Sequence, residues 1–167
     1  MNATITNIFH GKVASRGRSE FGRTIHLIDI ENLCGSSRVT PDQVAEARER
    51  YEEAVPIATS DHVIVASSRG NLFSSSQGWP GVRLLARDGK NGADICLAEV
   101  IVEENVTERF QTAVVASGDG DLAPFVAFMA AKGMNTVIVS RADRLSRSMR
   151  VAAHKSILLE SELQERA

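Results

Sequence analysis

The stretch Thr24-Ile-His-Leu-Ile-Asp-Ile30 decides how the rest of the chain is read. It is short and mostly apolar, without the strict alternation of a strand that has one face in water. Such a run suits a strand covered on both faces, as in parallel sheets. Runs of the same type recur at 63–67, 82–86, 112–117 and 136–140, with a weaker one at 156–159. Helical patterns fill most of the gaps. Thr40-Pro41-Asp42-Gln43 reads as a capping box with Pro at the first helical position, and Val44, Ala47, Tyr51 and Val55 then recur at helical spacing. Residues 92–104, 122–129 and 143–149 read as further helices, the second stopped near Gly133. The Gly- and Ser-rich segment 69–81 reads as a connecting segment without regular structure. Strand and helix alternate, with no hairpin signal and no internal repeat. The expected fold is α/β, a single three-layer α/β/α domain over residues 24–160 with a mostly parallel central sheet of five to six strands. A flexible basic leader, 1–23, and a polar tail, 161–167, flank it.

Composition bounds the function. The 167 residues are 43% hydrophobic and 24% charged, ordinary values for a globular chain that folds without a disulfide or metal staple. The net charge of −2 excludes a polybasic protein that holds nucleic acid by bulk charge. That near-neutrality is a cancellation of unlike parts. Residues 24–140 carry nine basic and sixteen acidic side chains, a net of −7, while 1–23 and 141–155 carry +3 and +4. Cys34 and Cys96 form no CxxC and no disulfide framework, which fits a reducing compartment. No apolar run is long enough for a signal peptide or a membrane span, so a cytoplasmic protein is expected.

In a parallel sheet every strand ends at the same edge, and ligands bind there where the strand order reverses. Each apolar run of this chain stops at polar residues on that edge, and four carboxylates stand out. Asp29 interrupts the first strand, where an unpaired charge would cost several kcal/mol (~) or more to bury. Asp119 and Asp121 lie in Ser117-Gly-Asp-Gly-Asp-Leu122 at a strand-to-helix junction. Asp94, in Lys90-Asn-Gly-Ala-Asp94, opens the helix between the third and fourth strands, with Asn91 placed as its cap. Capping alone would account for Asp121, and for Asp94 capping and ligation are evenly matched. Converging carboxylates repel one another unless a divalent cation neutralises them, and an oxygen-only set selects Mg²⁺ or Mn²⁺ over Zn²⁺. Metal-assisted chemistry at phosphorus follows from such a set.

These residues also carry a resemblance. Asp29-Ile-Glu-Asn32 in its Ile-rich strand resembles the opening of NYN domains, members of the PIN-like nuclease superfamily. Lys90-Asn-Gly-Ala-Asp-Ile-Cys-Leu97 is similar to their K-x-x-x-D-x-x-L helix start, and Val115–Pro124 to their S-G-D-x-D block. Leu145-Ser-Arg-Ser-Met149 followed by Ala152 resembles the late S-x-x-L-x-x-x-A segment. The four blocks occur in family order and look closest to the LabA/DUF88-type branch. The resemblance implies a PIN-like fold with the first and fourth strands adjacent. It implies Asp29, Asp94, Asp119 and Asp121 as ligands of Mg²⁺ or Mn²⁺, and Asn32 orienting a ligand, the water or the phosphate. It implies RNA as substrate, cleaved to a 5′-phosphate and a 3′-hydroxyl. Two departures stand out: relatives often carry a further acid about two turns after Asp94, where this chain has Glu99 and Val100, and His154 follows the late alanines where an Asp is common.

Two alternatives remain open. The same Asp-rich block resembles the fourth motif of haloacid-dehalogenase-type phosphatases, which would make Asp29 the nucleophile, Glu31 its companion acid, Ser67 the hydroxyl and Lys90 the motif lysine. A non-catalytic RNA-binding NYN module is the other. Basic residues near the strand ends, Arg69, Lys90, Arg141, Arg144 and Arg147, are the expected phosphate-backbone contacts. Aromatic residues make up only 5%, with Trp79 and Phe73 as the named stacking candidates and core packing the favoured role for Phe73. RNA is the expected partner, no membrane is expected, and a homodimer is left open.

Overall fold

A computed structural model describes residues 22–160 of the chain; the expected leader up to residue 21 and the tail from 161 lie outside them. Six strands form one sheet: β1 (Thr24–Asp29), β2 (His62–Ser67), β3 (Arg83–Ala86), β4 (Thr112–Ala116), β5 (Asn135–Arg141) and β6 (Lys155–Leu159). The order is β3-β2-β1-β4-β5-β6 and every pairing is parallel. The chain builds outward from β1 to β3, then returns past β1 to start β4. The strand order therefore reverses between β1 and β4, where a crevice opens at the carboxyl ends.

The apolar strands are covered on both faces, as their composition requires. Ile25 and Leu27 of β1, Ile64 and Ala66 of β2, Ala113 and Val115 of β4 and Ile138 of β5 join one core. Its covering layer is α4 (Gly92–Glu103), α5 (Val106–Arg109), α6 (Ala123–Ala131) and α7 (Arg147–Ala152). Ile28, Val65, Val114, Val137 and Val139 point the other way, into a second core under α1 (Ile30–Cys34), α2 (Pro41–Ala54) and α3 (Leu72–Gly78). This is the expected three-layer α/β/α arrangement. His26, fully buried within β1, pairs with the Tyr51 hydroxyl of α2 at 2.6 Å and with Asp61 at 3.3 Å, which satisfies its ring inside the second core. Among the described residues no helix is long and apolar enough to cross a membrane.

The capping box forms as read: Thr40 Oγ1 accepts from Gln43 N–H and Gln43 Oε1 accepts from Thr40 N–H. Three readings need correction. Residues 72–78, expected to be irregular, form α3. Their serines are poor helix formers, but Ser75 is buried and its hydroxyl donates to the Asn71 carbonyl one turn back. Gly78 lets α3 lie against α2, since a Cβ there would sit 2.5 Å from the Pro41 carbonyl oxygen. Tertiary packing thus overrides local propensity. The last helix begins at Arg147 rather than 143, because the Ser146 hydroxyl caps it by accepting from Met149 N–H. The aromatic roles are also exchanged. Trp79 is buried against Tyr51, with ring centroids 5.7 Å apart, whereas Phe73 is 71% exposed.

Candidate metal centre

The crevice between β1 and β4 is held by a short chain of hydrogen bonds. Asp29, the last residue of β1, caps α1 by accepting the Asn32 N–H at 3.1 Å. Asn32 in turn accepts the Gly118 N–H on its side-chain oxygen at 2.9 Å, tying the end of β1 to the loop after β4. In that loop Asp119 caps the 3-10 turn Gly120–Leu122 by accepting the Asp121 N–H at 3.0 Å. Asp121 caps nothing here; its carboxylate accepts from the Asn91 side-chain amide at 2.9 Å. Asn91 itself precedes α4 in a left-handed conformation (φ 64°) and makes no side-chain cap, so its amide is free to hold Asp121.

One carboxylate oxygen from each of Asp94, Asp119 and Asp121 lies within 4.8 Å of the others. Asp94 projects from the first turn of α4 and is 6% exposed. Its Oδ1 is buried with no hydrogen-bond partner. A buried carboxylate oxygen left without a donor is costly, and a shared cation relieves that cost. Burial, then the charges of Asp29, Asp119 and Asp121, push the Asp94 carboxyl up to about 7. Burial is also the main reason that Asp29 rises to about 6; Glu31 and Asp119 add repulsion while the Asn32 and Glu31 backbone N–H groups oppose it. Asp29 stands beside the three-carboxylate group and lines the same cleft of about 330 Å³, together with Asn32, Asp94, Asp119 and Arg144. The donor set is all oxygen, mutually close and part-buried, which fits a hard divalent cation such as Mg²⁺ or Mn²⁺.

The raised carboxyls set a pH dependence. Both are protonated more readily in the folded protein than in the unfolded chain. Their stabilising contribution is therefore complete below about pH 4 and is lost as pH rises through about 6 for Asp29 and about 7 for Asp94. Divalent cation binding requires the deprotonated forms, so it opposes that loss. We expect Mn²⁺ to raise the melting temperature little at pH 5 and clearly at pH 8; a shift independent of pH in differential scanning fluorimetry would contradict this.

The basic residues divide. Arg144 lines the acidic cleft and donates to the Gly35 carbonyl. Lys90 borders a neighbouring groove that also includes Asp94 and Asp121. Arg69 and Arg147 are exposed, the former 3.6 Å from Asp88. Arg141 is engaged within the fold, its guanidinium on both Asp143 oxygens and on the Cys34 carbonyl. Glu99 pairs with Arg87 at 2.8 Å and Val100 is core, so neither joins the carboxylate group. Glu31 accepts from Ser68 N–H and Asn71 side-chain amide at 2.9 and 2.7 Å, which fits a structural clamp better than the acid of a phosphatase. Burial holds the Cys34 thiol near 11, far from a reactive thiolate. The sequence marks Asn91 only as a cap. Its place before Gly92 was the available signal, because Asn is among the few residues that adopt a left-handed backbone readily.

The sequence profile of the NYN domain matches residues 23–160. Among curated proteins none matches the chain. A crystal structure of a protein of unknown function from Vibrio parahaemolyticus superposes with a TM-score of 0.59 at 12% identity, covering 86% of this chain and 96% of that one. At that identity the likeness speaks to the fold, the same α/β arrangement. The profile match spans residues 23–160, including the three blocks that carry the carboxylates, and the chain belongs to the NYN domain family.

Proposed function

We propose that this protein is a divalent-cation-dependent ribonuclease that hydrolyses RNA phosphodiester bonds. The observation that carries the reading is the approach of Asp94, Asp119 and Asp121 within 4.8 Å, with one Asp94 oxygen buried and unpaired. Asp94, Asp119 and Asp121 would hold Mg²⁺ or Mn²⁺, with Asp29 as the fourth carboxylate from the end of β1. The bound cation would supply Lewis-acid polarisation of the phosphate and a water acidic enough to attack at neutral pH. The chain's own residues supply position. Asn32 fixes the spacing of Asp29 and Asp119 through Gly118, and Asn91 fixes Asp121. Arg144 at the cleft, with Lys90, Arg69 and Arg147 farther out, offers charge to the backbone of a polyanion. RNA as the substrate, with a 5′-phosphate product, rests on the NYN resemblance. The free thiols of Cys34 and Cys96 suit the reducing cytoplasm where that substrate is found.

The test compares cleavage of RNA in Mn²⁺ by the native protein and by Asp119→Asn. The substitution keeps an acceptor for the Asp121 N–H but removes one ligand charge, and a loss of about 100-fold or more is expected. Equal cleavage by both proteins would exclude this site. Fast hydrolysis of a small phosphomonoester with a phosphoaspartate trapped at Asp29 would favour the phosphatase, and tight RNA binding without turnover the binding module.

A further inference from the structure

Beside the carboxylates runs a groove of about 440 Å³ between α4 and α6, within the usual size range of small-molecule sites (roughly 300–1,000 Å³). Its two ends differ in chemistry. One end is polar, formed by Lys90, Asn91, Asp94 and Asp121, and so shares two carboxylates with the metal centre. Beyond it the walls are mostly apolar, with Ile95, Ala98 and Val102 from α4 facing Phe125 of α6, while Glu99 and Glu103 also border the groove.

Ile95 and Val102 are 40% and 59% exposed although α4 already buries Leu97, Val100 and Ile101 on its core face. Spaced i, i+3 and i+7, Ile95, Ala98 and Val102 form a second apolar stripe, left partly exposed among the described residues. Phe125 packs one side against the core and turns the remainder toward this stripe.

We propose that the groove seats a nucleobase, that of the nucleotide whose phosphate lies at the Asp94, Asp119 and Asp121 centre. The inference rests on the phosphate-directed reading of that centre. A ligand that satisfies both ends carries an anionic group at one and a flat apolar face at the other, as a nucleotide does. Glu103, at the far end, disfavours a continuing phosphate backbone along the groove and leaves the base as the part that enters. Stacking on Phe125 between aliphatic walls is sequence-tolerant, since every base has a π-face. The scarcity of aromatic residues therefore does not leave the site without a stacking surface.

The experiment titrates AMP and ribose 5-phosphate into the full-length protein with Mn²⁺ and follows binding by calorimetry. The native protein is expected to bind AMP about tenfold more tightly, the contribution of one stacked base. Ala98→Leu, which narrows the groove while leaving every carboxylate in the sequence, should reduce that ratio to about two or less. Val102→Asp, at an exposed position where folding is not at stake, should do the same. Equal affinities in the native protein, or an AMP preference that survives both substitutions, would overturn the proposal. So would a dimer in sedimentation that Val102→Asp dissolves, because a second copy would then occupy the groove. RNA cleavage without AMP preference would sink the base seat alone. AMP preference lost in the variants, without any RNA cleavage, would sustain the base seat and remove the ribonuclease reading.

Discussion

Asp94→Asn is expected to lower metal-dependent RNA cleavage by about 10³-fold while raising the melting temperature of the metal-free protein at pH 8. The two effects share one cause. Asp94 is 6% exposed, has an oxygen with no donor, and faces the charges of Asp29, Asp119 and Asp121. Without a cation its ionised form opposes folding, as its rise to about 7 records. An amide of the same shape removes the charge and the repulsion together. A gain of about 1 kcal/mol would raise the melting temperature by roughly 2–4 °C for a chain of this size. With the cation the same charge becomes an asset. A bound metal contributes several kcal/mol (~4 here) to transition-state stabilisation, and each 1.4 kcal/mol (~) is a factor of ten in rate. The readouts are Mn²⁺-dependent cleavage and thermal unfolding with and without Mn²⁺. A variant that loses activity and also melts lower at pH 8 without metal would assign Asp94 a structural role and refute the argument.

That opposition of stability and function explains which features were legible in the sequence. Strand runs such as 24–30 and 112–117 are read from composition because burial on both faces leaves little choice of residue. The Thr40–Gln43 box is read because its hydrogen bonds are local. The carboxylates are read because charge at the end of a buried strand has no local explanation. What the sequence does not reveal is how the nearby polar groups are shared out. Asn91 could as well have capped α4, yet its amide holds Asp121 across 30 residues of chain. Asp121, the expected cap, is held, while Asp119, expected to be without a local role, does the capping. Helix α3 is hidden for the same reason: its close approach to α2 at Gly78 depends on a partner far away in sequence. Phe73 and Trp79 exchange places because hydrophobicity alone does not say which aromatic side chain the two layers enclose.

The second large effect concerns the bridge between the two halves of the sheet edge. A Cβ at Gly118 would lie 2.1 Å from the Arg144 carbonyl oxygen and 2.6 Å from the Ser140 hydroxyl. The space the glycine leaves is thus taken by the chain's own segment before α7, and a backbone carbonyl has no rotamer by which to withdraw. Gly118 also donates its N–H to Asn32 and accepts from the Ser146 N–H at 2.9 Å. Gly118→Ala must displace the 144–146 segment or the 117–119 loop, and either movement loosens these bonds. Overpacking of this kind costs about 1–3 kcal/mol or more, and a buried N–H left unpaired about 1–3 more. A fall in melting temperature of roughly 6–12 °C is expected, against almost none for Gly70→Ala, where nothing lies within 4 Å of the added methyl. Asn32→Ala removes the same hydrogen bond from the other side. If Gly118 acts through that bond, the two substitutions share part of their cost, and the double variant should lose less stability than the sum of the single ones. Strict additivity would show that the clash with Arg144 alone accounts for Gly118, and that Asn32 does not hold the β1 and β4 carboxylates together through it.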